Sequence, residues 1–207
     1  HYEIILERLK REFGQEVIAA QPSVLFEIFN KKGKVQKIFS PSLFPDKHEI
    51  SKTQEPLLDT EMIVPKEYAG EALKLIQNFG GEVGSFANLT SDRVKILGRL
   101  PLREFIEGFF DRLKSLTRGF GSLNYKIAGY KEADLVRMDV LINNEIVPAF
   151  SRVISESKSF RLAKETVDKL ANLLPRAVFS YKIQARVGGR ILAARSMAAS
   201  RKDVTGY

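Results

Sequence analysis

Residues 109–122 read Phe-Phe-Asp-Arg-Leu-Lys-Ser-Leu-Thr-Arg-Gly-Phe-Gly-Ser, a helical pattern that ends at two closely spaced glycines. They close an amphipathic helix that the apolar spacing places over residues 102–116. Its predicted inward face consists of Phe105, Ile106, Phe109, Phe110 and Leu113. Gly119 and Gly121 end the helix, because glycine tolerates the positive φ of a helix stop, and residues 123–127 then predict a strand.

The sequence before this helix also predicts strands and a helix that ends at glycine. Strands are predicted at residues 57–64, 82–89 and 93–101. A first helix opens at Pro65 and is stopped by Gly80-Gly81. Its predicted inward residues are Tyr68, Ala72, Leu75, Ile76 and Phe79. The order strand, helix, strand, strand, helix, strand over residues 55–130 predicts a ferredoxin-like βαββαβ domain of two helices on an antiparallel sheet, in the α+β class.

Shorter segments flank this domain. Before it we predict a helix over residues 2–13 ended by Gly14, strands at 16–20, 23–29 and 34–39 with a turn at 30–33, and a proline-punctuated connector over 40–54. After it, in residues 131–207, we predict a strand at 135–142, a helix at 160–174, a two-stranded ribbon over 177–194 with a Gly188-Gly189 turn, and a helix beginning near Met197.

Composition limits the class of protein. The 207 residues contain no cysteine and two histidines, which excludes disulfides and makes a zinc site an unfavoured expectation. No run of eighteen apolar residues and no secretory leader is found, so we expect a cytoplasmic protein without a membrane span. The first residue is His1 rather than methionine and the helical pattern starts at once, so we expect the chain to be a piece of a larger gene product.

The net charge of +8 is unevenly distributed. Residues 126–207 hold 15 Lys or Arg against 8 Asp or Glu, and no acid occurs between Asp168 and Asp203. Such a field of one sign attracts polyanions. A solvated surface is the alternative reading of any charge run. Here the cations alternate with apolar residues such as Phe179 and Ile183, which favours a structured, outward-facing surface.

No complete active site can be read from the sequence. The phosphate-binding pattern G-x-x-x-x-G-K-[ST] does not occur, and Gly119-Phe120-Gly121 is interpreted as a helix stop. His48 lies close to Asp46 and Glu49, and we interpret this group as solvated rather than metal-binding. No catalytic, cofactor-binding or metal-binding residue is therefore predicted, and the chain alone should be enzymatically inactive.

Residues 109–122 resemble the hallmark segment of the last ferredoxin-like domain in LepA-type translational GTPases, also called elongation factor 4. Elongation factor G is a more distant relative that shares the piece Ser-Leu-Thr-x-Gly-x-Gly. The resemblance spans the whole chain. It continues through Ser40-Pro41-Ser42, Met62-Ile63-Val64-Pro65, Val140-Leu141-Ile142-Asn143, Pro175-Arg176, Phe179, Ile183-Gln184-Ala185, Gly188-Gly189 and Arg201-Lys202-Asp203-Val204.

The resemblance implies a domain division and a function. Residues 1–39 look like the second half of a ferredoxin-like domain, 55–130 like the family's fifth domain, and 131–207 like the start of its special C-terminal domain. The parent would be a GTPase using GTP and Mg in a domain that this chain lacks. It would act in elongation, by back-translocation or rescue, or in ribosome assembly. Its partners would be the ribosome, through rRNA and ribosomal proteins, and tRNA, with a monomeric chain and peripheral membrane association as a further family property.

The chain itself would then be the docking portion. The predicted RNA-binding residues are Arg176, Lys182, Arg186, Arg190, Arg195, Arg201 and Lys202. A second, ribosome-contacting turn is predicted at Ser115, Arg118, Gly119 and Gly121. Two alternatives stay open: a regulatory ferredoxin-like module that binds a small effector or a protein subunit, and a stand-alone enzyme.

Overall fold

A computed structural model describes residues 2–14, 23–175 and 177–200. Its first element is the predicted helix, α1 (Tyr2–Phe13), which ends at Gly14 with a φ of +61°. The strand predicted at 16–20 lies outside the described residues. The next elements, β1 (Phe26–Asn30) and β2 (Val35–Ile38), form the predicted hairpin, and the Asn30 side chain accepts hydrogen bonds from the backbone amides of Lys32 and Lys34.

The predicted βαββαβ unit is confirmed. Its elements are β3 (Ile50–Pro65), α2 (Ala69–Asn78), β4 (Glu82–Asn88), β5 (Arg93–Pro101), a second helical segment, and β6 (Ser122–Glu132). β3 lies between β5 and β6, and β4 pairs with the outer edge of β5, all antiparallel. This is the strand order of a ferredoxin-like sheet, so the α+β class is confirmed.

Strand β3 is longer than the sequence suggested. Residues 50–54, which we predicted as part of a connector, pair with β1 and join the β1–β2 hairpin to the same six-stranded sheet. Because these residues are mostly polar, the sequence pattern did not predict a strand here. Thr53 and Glu55 are nevertheless buried, and Thr53 donates a hydrogen bond to the carbonyl of Ala133.

The second helical segment is interrupted. It consists of α3 (Leu102–Glu104), the segment Phe105–Phe109 with a kink at Gly108, whose φ is +112°, and α4 (Phe110–Leu116). A residue at positive φ breaks the helical repeat and changes the face that the following turn presents. Phe109 and Leu113 are buried and Phe109 packs edge-on against Phe79, whereas Phe110, predicted to face inward, is 38% exposed.

The C-terminal unit is a second antiparallel sheet covered on one face by a helix. It contains β7 (Leu135–Ile142), β8 (Glu145–Ile146), β9 (Arg152–Ser155), α5 (Ser159–Leu173), β10 (Tyr181–Val187) and β11 (Arg190–Met197). Met138, Val140, Ile154 and Ile183 form its core with Ala163 and Val167 of α5. The helix predicted near Met197 is wrong for residues 197–200, because β11 continues to Met197 in register with Tyr181.

Two buried clusters join these units. Apolar residues from the β1–β2 hairpin and the connector pack against Leu135 and Val153 of the C-terminal sheet. A second cluster is ionic. Arg103 Nε lies 3.1 Å from Glu55 Oε2 and its Nη1 2.9 Å from Glu104 Oε1, and Lys158 Nζ lies 2.8 Å from the same Glu104 oxygen. Since Lys158 belongs to the C-terminal unit, this cluster helps to fix the position of the second sheet.

Candidate nucleic-acid interface

The β10–β11 hairpin is the centre of the predicted RNA-binding surface. Gly188 and Gly189 turn the chain with φ values of +53° and +82°, a conformation that side chains with a Cβ rarely adopt. Ile183 and Ala185 point toward α5 and are buried. Because successive residues of a strand face opposite sides, Lys182, Gln184 and Arg186 lie on the other face of the sheet.

The predicted cations on this hairpin fall into two kinds. Lys182 and Arg190 are exposed and form no ion pair with any residue in the described ranges. Arg186 and Arg195 are paired, although the segment itself contains no acid. Arg186 Nη2 lies 3.4 Å from Asp139 Oδ2, and Arg195 Nη1 lies 3.0 Å from Asp168 Oδ1. The fold therefore supplies carboxylates that the local sequence lacks.

The two pairs differ in strength. The side chains of Arg195 and Asp168 are 50% and 46% exposed, and a pair of that kind contributes about 0–1 kcal/mol to stability. A phosphate can therefore compete with Asp168 for Arg195. Asp139, in contrast, is only 7% exposed, so the Arg186 interaction is sheltered from water. The remaining predicted cations, Arg176, Arg201 and Lys202, lie outside the described residues.

The predicted second contact is the turn after α4. Ser115, Arg118 and Gly119 are exposed there, and Arg118 and Gly119 have φ values of +50° and +88°. Gly121 is buried. A Cβ at Gly121 would lie 2.7 Å from Thr117 Oγ1, so the position of the Thr117 side chain against this residue favours glycine here.

Thr117 holds this turn together. Its fully buried hydroxyl donates to the carbonyl of Leu113 at 2.8 Å and accepts from the amide of Gly121 at 2.8 Å. The Lys114 ammonium also donates to the carbonyl of Gly119. These bonds fix a turn whose exposed side chains are Arg118 and Phe120, the latter 65% exposed.

The remaining candidate group, around His48, lies on the surface. His48 and Glu49 are both exposed, with His48 Nε2 3.8 Å from Glu49 Oε1. In the described ranges no three His, Asp or Glu side chains are placed to hold a metal ion. None of the helices in the described part of the chain combines the length and apolar character needed to cross a membrane.

Comparison with known families matches the chain to two consecutive family models. The family model described as elongation factor G C-terminus matches residues 52–141, and the model described as GTP-binding protein LepA C-terminus matches residues 142–207. Elongation factor 4 of Mycoplasmopsis synoviae (strain 53) is 42% identical over 205 residues, covering 99% of this chain and 34% of the relative. The chain is therefore similar to the C-terminal region of LepA, or elongation factor 4, proteins.

Other members of the family match over the same span. Elongation factor 4 of Clostridium novyi (strain NT) is 39% identical and that of Alkaliphilus metalliredigens (strain QYMF) 41% identical, each over 204 residues. These alignments also cover 99% of this chain and 34% of the relatives, so the chain spans about a third of the length of the curated relatives it matches. It corresponds to the C-terminal region of a translation elongation factor.

The boundary between the two family matches has a structural meaning. It falls between Leu141 and Ile142, at the end of β7. Strand β7, with Arg137 and Asp139, therefore belongs to the first matched region, and the hairpin that carries Arg186 and Arg190 belongs to the second. The C-terminal sheet is built from both.

Three functional candidates were missed by sequence reasoning: Thr117, Arg137 and Asp139. Arg137 and Asp139 stand two positions apart in an otherwise apolar strand, and this spacing places both on one face of the sheet. A charged pair inside a buried strand is the signal that could have identified them. Thr117 offers no comparable signal, because its role depends on the path of the glycine turn that follows.

Replacing Thr117 with valine should lower the free energy of unfolding by about 1–3 kcal/mol, because the buried amide of Gly121 loses its acceptor while the side-chain volume is nearly kept. Urea denaturation followed by circular dichroism measures this change. Thr90 is the matched control. Its hydroxyl accepts from the amide of Arg93 in an exposed turn where water can replace it, so Thr90→Val should have a smaller effect. Equal losses in the two variants would contradict the proposed role of Thr117.

Proposed function

We propose that this chain is the ribosome- and tRNA-docking portion of a LepA-type translational GTPase that acts in translation elongation or ribosome assembly in the cytoplasm. The observation that carries the proposal is the match to elongation factor 4 over 99% of the chain. In the proposed parent protein, GTP and Mg bind a domain other than the parts described here. Residues 1–39, 55–130 and 131–207 correspond to the three domains of our proposed division, with 40–54 between the first two.

The charge distribution supports RNA as the partner. Lys182 and Arg190 are exposed cations on one hairpin, and Arg195 is held by an exposed pair with Asp168. Neutralising phosphates with such side chains releases condensed counterions and gives affinity without base recognition. Arg176, Arg201 and Lys202, outside the described residues, remain predicted RNA-binding residues. Arg118 and the Gly119–Gly121 turn form the proposed second contact, so the distance between the two sites would select a folded RNA by its shape.

Titration of fluorescently labelled ribosomes and labelled tRNA with this chain tests the proposal. If about six phosphates are neutralised, the affinity should fall by roughly three orders of magnitude between 50 and 200 mM salt. Binding that does not change with salt would contradict phosphate contact. It would instead favour a protein contact or a bound effector.

Charge reversal locates the interface. The double variant Lys182→Glu/Arg190→Glu should weaken tRNA binding by at least about tenfold, because both cations are exposed and unpaired within the described ranges. Lys31→Glu/Lys32→Glu, in the exposed turn between β1 and β2, is the control with the same change in net charge. Comparable losses in both variants would show that binding follows net charge alone. Circular dichroism checks that both variants keep their fold.

A small effector is the second candidate partner. The open face of the ferredoxin-like sheet carries a groove of about 700 Å³ around Asp59, Leu97 and Arg99. Its charged groups are largely paired, for example Arg99 with Asp59 at 3.1 Å within the groove, and Glu61 with Lys95 outside the groove lining at 2.8 Å. The groove therefore offers few unpaired charges to a ligand, and we rank this function below RNA docking.

A further inference from the structure

Two arginines of the C-terminal sheet share one carboxylate. Arg186 is the cross-strand neighbour of Asp139, and Arg137 lies on the same face of β7 two residues earlier. Arg137 Nε is 3.2 Å and Arg186 Nη2 3.4 Å from the same oxygen, Asp139 Oδ2. The other oxygen, Oδ1, accepts a hydrogen bond of 2.9 Å from the Ser151 hydroxyl. Asp139 is thus held on both sides and fixes both guanidinium groups.

This cluster carries excess positive charge. Two guanidinium groups and one carboxylate leave a net charge of +1, and a guanidinium does not lose its proton in proteins. The arginine side chains are 29% and 30% exposed and the carboxylate 7%, so the cluster is only partly solvated. Charges in such a position interact strongly with a counterion because water screens them less.

The guanidinium groups also keep unused donors. Arg137 Nη1 donates to the carbonyl of Phe44 at 3.3 Å, which ties the connector to the sheet. Within the described ranges, Arg137 Nη2 and the Nε and Nη1 groups of Arg186 donate no hydrogen bond to a protein acceptor. An arginine whose position is fixed and whose donors are free is prepared for two-point contact with an oxyanion.

Both arginines line a cleft of about 500 Å³ between residues 44–50 and the tip of the β10–β11 hairpin. Arg190 and the Gly188-Gly189 turn form the hairpin side of the cleft, and Lys47, paired with Glu156, stands on the connector side. A cleft of this volume accommodates a ligand group of moderate size.

We propose that this cleft is a phosphate-binding site, in which Arg186 and Arg190 contact the phosphate and Asp139 is a positioning residue that presents Arg186 and Arg137. The phosphate of an RNA backbone fits the site best, because the cleft opens beside the exposed cations of the hairpin. This assignment rests on the proposed function. A free phosphate is the other source of the same chemistry, and titration with inorganic phosphate distinguishes the two.

Conservative variants test the geometry rather than the charge. Arg186→Lys keeps the positive charge but loses the planar fork, so affinity for labelled tRNA, measured by fluorescence anisotropy at 100 mM salt, should fall by at least about fivefold. Arg99→Lys is the matched control, because Arg99 also pairs with a carboxylate but lies on the open face of the other sheet. We expect less than about a twofold change there.

Asp139→Asn distinguishes a positioning role from simple electrostatic attraction, because the two predict opposite changes in tRNA affinity. The variant gains one positive charge, and nonspecific attraction alone would strengthen tRNA binding. If Asp139 positions the arginines, binding weakens by at least about threefold instead. Asp59→Asn, with the same change in charge on the other sheet, should not weaken binding. Since loss of a buried carboxylate can also unfold the protein, thermal melts define the temperature at which each variant is folded.

A second arm uses inorganic phosphate as the probe. Phosphate at constant ionic strength should raise the melting temperature of the wild-type chain more than that of Arg186→Lys. If the wild type binds tRNA and Arg186→Lys binds equally well, the cleft is not the site although the proposed function stands. If the wild type fails to bind tRNA, the proposed function is wrong, and the phosphate titration then decides whether the cleft is a binding site. A rise in melting temperature that occurs in the wild type and not in Arg186→Lys would identify the cleft as a site for free phosphate. Equal rises in the two proteins, or no rise in either, would overturn the proposed site.

Discussion

Replacing Arg103 with leucine is expected to lower the free energy of unfolding by about 3–5 kcal/mol, because it leaves two buried carboxylates without their main counterion. The Arg103 side chain is 6% exposed, and its partners Glu55 and Glu104 are 5% and 7% exposed. After the substitution, Lys158 is the one cation among the described residues that remains within 4 Å of Glu104. Urea unfolding followed by circular dichroism measures the loss.

Arg99→Leu is the matched control for this prediction. Arg99 Nε also lies 3.1 Å from a carboxylate, that of Asp59, but the two side chains are 59% and 35% exposed. Exposed pairs of this kind contribute about 1 kcal/mol or less. Equal effects of the two substitutions would show that the depth of burial does not matter at Arg103, which would contradict the role given to the cluster.

The effect of Arg103→Leu should also depend on pH. Burial raises the pKa of Glu55 above its ordinary value of 4.5, although the charge and hydrogen bond of Arg103 oppose this shift. When the folded-state pKa is raised, the stability contributed by the protonated group is complete below pH 4.5 and is lost as the pH rises through the folded-state pKa. Without Arg103 this pKa rises further. The destabilisation should therefore be larger at pH 8 than at pH 5, and a difference that does not change with pH would exclude Glu55 as its source.

The local pattern of the sequence predicted most elements because apolar periodicity determines them. Strand β7 has the predicted bounds, 135–142, and α5 begins and ends one residue before the predicted helix of 160–174. The glycine pairs at 80–81 and 188–189 also mark the predicted turns, with Gly80 and both hairpin glycines at positive φ. In these segments one face is buried against a single neighbouring layer, so the spacing of apolar residues is sufficient information.

The errors arose where burial does not follow polarity. Residues 50–54 contain Ser, Lys, Thr and Gln and show no apolar alternation, yet they form the first part of β3. Phe110 was predicted to face inward from a regular helical repeat, and the kink at Gly108 breaks that repeat. In the first case strand pairing overrides local preference, and in the second the backbone at Gly108 does.

The ion pairs of the candidate interface could not be predicted from the sequence, for a different reason. The run from Lys169 to Lys202 contains no acid, but Asp139 and Asp168 meet Arg186 and Arg195 across 47 and 27 residues of chain. Charge balance is a property of neighbouring atoms, and the sequence specifies only neighbours along the chain. The exposed positions of Lys182 and Arg190 agree with the expectation, whereas the sharing of Asp139 by two arginines required the sheet register.

The interface is expected to depend on the core beneath it, and Ile183→Ala tests this dependence. Ile183 is fully buried between β7 and α5, so the substitution should lower the free energy of unfolding by about 2–5 kcal/mol through lost burial and a residual cavity. Ile191, in the opposite strand of the same hairpin, is 52% exposed, and Ile191→Ala should change stability by about 0.5 kcal/mol or less. Thermal denaturation compares the two variants.

Hydrogen exchange should show which part of the molecule is destabilised by Ile183→Ala. Lys182 is adjacent to Ile183, and the β10–β11 ladder carries Arg190 at its far end. A cavity under β10 should raise amide exchange in β10 and β11 more than in β3, which lies in the other sheet and does not contact Ile183. Uniform acceleration in both sheets would instead mean that the molecule opens as one unit. In that case the cations of the hairpin would depend on the stability of the whole chain rather than on the packing of Ile183 against α5.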